Sequence, residues 1–443
     1  MDMVAKVVSV METILGPIVE TLAAERGLIQ RKRKFSGQSL LQMLVFSLLK
    51  KPDATYEDMA FISAQLGLPV SATAVKNRFT PPLVAFLRDV LNLAFQQLIA
   101  AAPVNVPLLE RFNGVFIGDS TSIALPDELE EEFPGCGGTE GSCKSALKIQ
   151  VRWNLSTGEL PQILIEIGKA SDAKSPIAHQ KPLAGSLEIF DLGYFSLDRF
   201  RRLDDGDAYF ISRLQHNTTV YDMNGEELNL SDYLSARGIG NVVDVPIQMG
   251  ANDRLPCRLI AIRVPEEVAN RRRQKAREKA AKHRRGPSEK YLELLGWSFF
   301  VTNLPVEKLT WKEAIVLYRA RWQIELLFKL WKSHNQLANH RPGATPEEAM
   351  AVLWAKLLGV LLQHWLLLST SWPDNRRSLL KAARALRQWI TSIIGAFNDH
   401  DQLSLTVTKV QNHLAHVARI QSRTKRPSHF QLLQNPALLD WDA

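Results

Sequence analysis

The chain has 443 residues, 46% of them hydrophobic and 23% charged, and a net charge of +8. That length and apolar content suit two to four domains with real cores and exclude a disordered chain. The positive balance points to a polyanionic partner, nucleic acid first and an acidic membrane second.

Three cysteines, Cys136, Cys143 and Cys257, are too few for a disulfide scaffold. No histidine beside Cys136 and Cys143 completes a zinc set, so all three read as free thiols in a reducing compartment such as the cytoplasm. The N-terminal stretch MDMVAKVVSVMETILGPIVETLAAERG reads as an amphipathic helix. It lacks the basic start and cleavage site of a signal peptide. Residues 1–105 read as helical throughout. Within them, one helical run ends at Gln65–Leu66, Gly67–Leu68–Pro69 makes a turn, and Ser71 caps a second helix carrying Lys76, Asn77 and Arg78. That pattern predicts a helix-turn-helix whose second helix enters a DNA groove. The basic run Arg31, Lys32, Arg33 and Lys34 supports it; an ordinary helical hairpin is the alternative.

From about residue 107 the pattern changes to strands. GVFIGD (114–119) is an apolar run ending in an acid. ALKIQVRWNL (146–155) alternates, and LPQILIEIG (160–168) follows. LEIFD (187–191) again ends in an acid. DAYFISRL (207–214), VVDVPIQM (242–249) and CRLIAIRV (257–264) come next, with a turn at Asn224–Gly225. Residues 271–285 form a basic helix in which nine of fifteen residues are Lys or Arg, among them Arg271, Arg272, Arg273 and Lys275. Like charges so crowded repel unless something neutralises them, and a phosphate backbone does so. After a further strand, GWSFFVTNLP (296–305), Thr310 and Glu313 form a capping box. The helix that follows carries YRARWQIELLFKLWK (318–332). At 100° per residue, Tyr318, Arg321, Glu325 and Lys332 fall within about 60° of one another. Ile324, Leu326, Leu327, Leu330 and Trp331 take the opposite, buried side. An Arg321–Glu325 pair on a solvent face is the plain reading of that ridge. AVLWAKLLGVLLQHWLLLST is interrupted by Lys356, Gln363 and His364, so it reads as a core helix. The remaining chain is helical, with basic residues Arg419, Arg423, Lys425 and Arg426.

Asp119 and Asp191 end strands, and Glu325 sits on the ridge. Carboxylates at strand C-termini face the edge where α/β sites form. Three converging there need a cation, and an oxygen set suits Mg²⁺ or Mn²⁺. In a basic protein that favours metal-assisted phosphoryl transfer.

These residues resemble the DDE transposases of bacterial insertion sequences. Tyr318, Arg321, Glu325 and Lys332 match the Y-x2-R-x3-E-x6-K signature of the YREK branch. IGDSTSIALP and FDLGYFS resemble the two aspartate blocks. FPG followed by GG (133–138) and W-x4-TNLP also fit, and the likeness spans about residues 107–340. The resemblance implies an α/β fold with a ribonuclease-H-like core. It makes Asp119, Asp191 and Glu325 the catalytic, metal-holding acids, with Mg²⁺ as cofactor (Mn²⁺ substituting). Tyr318, Arg321 and Lys332 would contact DNA phosphates, and Trp297 would stack on a flipped base. Asp119 and Asp191 lie 72 residues apart, and 134 more reach Glu325; the second gap is long enough to hold an inserted β-rich subdomain. The expected organisation is a helical DNA-end-binding domain over 1–105 and the core over 106–217 and 297–345. The insertion with its basic helix spans 218–296, and a helical, dimerising domain covers 346–443. Partners implied are double-stranded DNA, as terminal repeats and target, and a second copy of the chain. The competing readings are a decayed or domesticated transposase that binds without cutting and a glycosidase with paired carboxylates. A recombinase using Tyr318 as nucleophile lacks its Arg/His set.

Overall fold

The computed structural model describes residues 2–29, 34–137, 143–236, 240–282, 286–372, 374, 376–420 and 427–439. Arg31, Lys32, Arg33, Gly138, residues 283–285 and Arg423, Lys425 and Arg426 lie outside them. The chain folds into two compact units, each assembled from separate stretches.

The first unit comprises residues 1–105, 120–170 and 323–421 and is mainly helical. The N-terminal stretch is two helices, Met3–Leu15 and Val19–Glu25, because Gly16 and Pro17 interrupt it. Val4, Val7, Val8, Met11, Ile14 and Leu15 line the buried face of the first, at helical spacing. The long helix Pro346–Ser371 packs against the helices Gly37–Lys50, Pro81–Phe95 and His400–Val417. From Glu348 to Ser369 every residue but Val352 is buried, as expected of a core helix. The polar residues that interrupt it are satisfied inside the unit. Lys356 Nζ donates to the Gln336 and Asn339 carbonyls at 2.8 and 2.9 Å, Gln363 accepts from Asn335 at 3.3 Å, and His364 Nε2 bonds the Gly158 carbonyl at 2.7 Å. Burial pulls the Lys356 ammonium down to about 8.

The helix-turn-helix forms, but its second helix is short. Tyr56–Gln65 is followed by a turn at Gly67 (φ +82°) and by Ala72–Lys76, capped by Ser71 as its sequence predicts. That helix has five residues, so Asn77 and Arg78 lie past its end rather than on it. Pro81 and Pro82 open the next helix, which leaves no room for the short one to continue.

Strands are numbered along the chain as β1 (Val115–Ala124), β2 (Ala146–Asn154), β3 (Gln162–Ile167), β4 (Leu187–Phe190), β5 (Tyr209–Arg213), β6 (Val220–Tyr221), β7 (Val242–Met249), β8 (Leu255–Arg263) and β9 (Trp297–Thr302). In the first unit, β2 and β3 form an antiparallel pair. The second unit comprises residues 106–119, 171–322 and 422–443. There the order is β1-β4-β5-β9-β8-β7-β6. β1, β4 and β5 run parallel; the rest pair antiparallel. The strands of residues 218–264 therefore do not make a sheet of their own. Through β9 they extend the sheet that carries the two aspartates. Asp119 is not the end of β1, which continues to Ala124; only its pairing with β4 stops at Gly118.

One buried arginine ties that sheet to the chain leaving it. Arg258 on β8 is 8% exposed. Its Nε donates to Asp244 at 2.7 Å, and its two terminal nitrogens donate to the Leu304 and Leu309 carbonyls at 2.8 Å each. The loop held this way leads into the helix Trp311–Ala320, which the Thr310/Glu313 capping box starts. Replacing Arg258 with Ala strands one carboxylate and two carbonyls. Thermal or denaturant unfolding of Arg258→Ala is expected to show a loss of about 3–5 kcal/mol, whereas a loss below 1 would show that water fills the site.

Candidate active site

The site begins with strand register. In the parallel pair of β1 and β4, Gly118 lies opposite Phe190. The next residue in each stretch is an aspartate, so Asp119 and Asp191 both follow directly on the last paired position. Gly118 makes that register possible. A Cβ there would sit 1.9 Å from Cε1 of Phe190, and the ring cannot step aside. Tyr194 packs on it at 5.1 Å, and the Arg199 guanidinium lies 3.5 Å from its centre. Arg199 is itself buried beside Glu188 at 3.6 Å.

Two neighbouring carboxylates repel unless a cation stands between them. Arg321 supplies one. Its Nη1 donates to Asp119 Oδ2 at 3.1 Å, and its Nε lies 3.6 Å from Asp191 Oδ1. The Arg321 and Asp119 side chains are each 17% exposed, so water screens their attraction little. Arg321 is placed there by its position at a joint. The helix Trp311–Ala320 ends just before it, its N–H donates to the Tyr318 carbonyl, and the helix Trp322–Lys329 starts just after.

Residues 318–332 are thus not one uniform α-helix. The hydrogen-bond ladder is interrupted at Arg321, whose backbone stays helical (φ −49°, ψ −36°), and a π-helical turn at Leu330–His334 ends the constant 100° step that the ridge assumes. Ile324, Leu327, Leu330 and Trp331 are buried as expected, but Leu326 is 44% exposed. Trp322, which the sequence pattern did not single out, is 60% exposed. Glu325 lies in the first turn of Trp322–Lys329. Lys332 lies on the π turn, half-buried, and burial lowers its ammonium pKa.

Tyr318 packs edge-on to Phe300 of β9 at 5.1 Å. Burial pushes its phenol up to about 12, against the pull of the Arg321 guanidinium. Burial thus disfavours the phenolate, which gives no support to the tyrosine-recombinase reading.

The other candidate DNA contacts divide by what they already touch. Trp297 is half-buried at the start of β9, packed on the cluster of Leu234, Val243 and Ala261, with Arg263 6.0 Å from its ring centre. The basic helix is Glu266–Lys282. Arg272 turns inward, donating to the Trp297 carbonyl at 2.9 Å and to Ser298 at 3.0 Å. Arg273 donates to Glu266 at 2.6 Å and to the Leu292 carbonyl at 3.1 Å. Part of the expected charge repulsion is therefore relieved inside the protein. Arg271 and Lys275 are exposed. Lys76 is exposed too, whereas Arg78 is half-buried with its guanidinium 5.1 Å from the Phe35 ring centre.

The W-x4-TNLP stretch proves to be a corner. Thr302 accepts from the Leu304 N–H at 3.1 Å. Asn303 accepts from the Phe210 N–H at 3.0 Å and donates to Asp204 and the Ala208 carbonyl. It locks the start of β5 to the end of β9. Asparagine suits that place because it donates and accepts at once, a signal that periodicity does not carry.

Asp119 and Asp191 present only carboxylate oxygens, the chemistry of a hard divalent ion. They already share one positive group, so their spacing fits a shared cation. Among the described residues, no group of three or more His, Cys, Asp or Glu stands close enough to hold a metal ion.

Over residues 110–362 the sequence matches the family described as Transposase DDE domain. It is 30% identical over 419 residues to the transposase for insertion sequence element IS231F of Bacillus thuringiensis subsp. israelensis, covering 90% of this chain and 86% of that one. It is 29% identical over 370 residues to the transposase for insertion sequence element IS1151 of Clostridium perfringens, covering 78% and 76%.

The raised Tyr318 pKa has a testable sign. The folded state keeps the proton, so this group contributes stability below pH 10 that is lost as pH rises towards 12. The tyrosinate absorbance of wild type minus that of Tyr318→Phe is expected to titrate near 12. A difference titrating near 10 would mean that the hydroxyl is open to water.

Proposed function

The chain belongs to the DDE transposase family, and we propose that it cuts DNA at the ends of an insertion sequence and joins those ends to target DNA. Asp119, Asp191 and Glu325 are the acids of the reading, and Mg²⁺, with Mn²⁺ as substitute, is the cofactor they would hold. When bound, such ions supply a polarised water and a stabilised leaving oxygen. The protein's own part is to orient the carboxylates, to line a groove in which Tyr318, Arg321 and Lys332 meet successive DNA phosphates, and to keep the cleavage point fixed. The observation that carries the reading is the juxtaposition of Asp119 and Asp191 about one guanidinium. Both acids follow directly on the last paired position of two neighbouring parallel strands, in a protein of net charge +8 that suits a polyanionic partner.

The partner is double-stranded DNA, both as terminal repeat and as target. Residues 1–105 are the end-binding part of the reading and residues 346–443 the dimerising part. Two chains would pair two ends, since joining both ends to one target requires them together. Arg271 and Lys275, exposed on the basic helix, are the better phosphate contacts there, since Arg272 and Arg273 are already engaged.

Cleavage of a labelled terminal-repeat duplex in Mg²⁺ tests the reading. Glu325→Gln is expected to bind the end but cut at least about a hundredfold more slowly, the scale of losing one electrostatic stabiliser at a reacting centre. Wild-type binding without cutting in either Mg²⁺ or Mn²⁺ would favour the non-cutting, DNA-holding alternative. Arg271→Gln with Lys275→Gln is expected to lower the salt slope of binding by about 1.8, or 0.9 per phosphate contact. An unchanged slope would take the basic helix out of the DNA interface.

A further inference from the structure

We infer that Arg321 is an electrostatic latch: in the protein without DNA its guanidinium holds Asp119 and Asp191 in place of a metal ion, and a DNA phosphate releases them. This rests on the reading of those aspartates as the metal-holding acids and adds the order in which the site is loaded.

The geometry is that of a substitute cation. One guanidinium serves both carboxylates, by a 3.1 Å hydrogen bond to Asp119 and a 3.6 Å approach to Asp191. Asp119 and Arg321 are mostly buried, so their attraction is strong, while Asp191 at 45% exposure leaves the pair open to solvent on one side. A divalent ion entering from that side meets carboxylates whose charge is already compensated, next to a fixed positive group that repels it. Arginine stays protonated at any pH the protein survives, so no shift in pH opens the latch. An anion that competes for the guanidinium does. A DNA phosphate is such an anion, and arginine's planar fork suits it at least as well as a carboxylate.

Turning the guanidinium to a phosphate takes side-chain rotation alone. Arg321 lies at the joint between the helices Trp311–Ala320 and Trp322–Lys329, not within either. Its N–H donates to the Tyr318 carbonyl, three residues back, and its backbone stays in the right-handed helical region (φ −49°, ψ −36°). When the guanidinium turns to a phosphate, it stops compensating both aspartates, and their mutual repulsion raises their affinity for a metal. By linkage the coupling is reciprocal: DNA tightens metal binding and metal tightens DNA binding. The free protein is then a poor metal binder, and the cutting centre is completed only on an engaged DNA end.

The test is Mn²⁺ binding to the full chain, followed by the electron paramagnetic resonance signal of free Mn²⁺, first without DNA. Arg321→Gln and a second neutral variant, Arg321→Met, are expected to bind Mn²⁺ about tenfold or more tightly than wild type, within the range usual for coupled sites. Arg321→Lys keeps the charge and should stay near wild type. Asp119→Asn placed in Arg321→Gln should abolish the gain. Adding a terminal-repeat duplex should tighten Mn²⁺ binding in wild type and do little more in the neutral variants. Neutral variants that bind like wild type, while Asp119→Asn still removes binding, would overturn the latch and leave the metal-holding reading intact. No Asp119-dependent Mn²⁺ binding in any variant, with or without duplex, would overturn the metal-holding reading itself. Should both neutral variants fail to fold, the wild type decides: no tightening of Asp119-dependent binding by the duplex overturns the latch.

Discussion

Two carboxylates set side by side on parallel strands repel each other, and much of the second unit answers that repulsion. The register of β1 against β4 places Asp119 next to Asp191. Gly118 allows it by leaving room for the Phe190 ring, and Arg199 and Tyr194 hold that ring still. Arg321 then balances the charge from the joint between two helices. Each piece is ordinary chemistry. Their combination stores two negative charges in a half-buried place without letting them drive the strands apart.

The arginine that balances the site depends on other arginines for its position. Arg258 fixes the loop after β9 through two carbonyls and one carboxylate. Asn303 fixes the corner just before it. Together they decide where the helix Trp311–Ala320 starts, and that helix decides where Tyr318 and Arg321 stand. Arg272, from the basic helix, likewise stitches that helix to β9. A positive charge count therefore overstates the number of groups left for phosphates. Guanidinium groups are well suited to capping loose carbonyls as well as to binding DNA, and this chain uses them for both.

Much of this was legible in the residues. Apolar alternation located the strands to within a few residues, since side chains on a pleated strand alternate sides whatever the surroundings. The capping box at Thr310 and Glu313 marked its helix start because caps act locally. The four-residue signature and the two aspartate blocks pointed to the family because spacing along the chain is a property of sequence. The interrupted apolar run at Lys356, Gln363 and His364 read as core because three polar groups cannot face lipid unsatisfied. The failures were failures of locality. The uniform ridge over residues 318–332 assumes a constant helical step, which the π turn at Leu330–His334 removes. Leu326 is exposed although the helical period puts it on the apolar side, because the period does not say how wide a face a neighbour covers. The second helix of the helix-turn-helix stops at Lys76, short of Asn77 and Arg78.

By itself the sequence determined which residues are acids, where strands and helices begin, and the order in which the signature residues come. These follow from covalent order and short-range sterics. Only the tertiary structure decided that Asp119 and Asp191 are neighbours, that β6, β7 and β8 extend the sheet of those aspartates, and that Arg321 faces the aspartates. It also decided that Arg272 and Arg273 face inward while Arg271 and Lys275 face water. Each depends on contacts between residues far apart in the chain, whose energies no local pattern encodes.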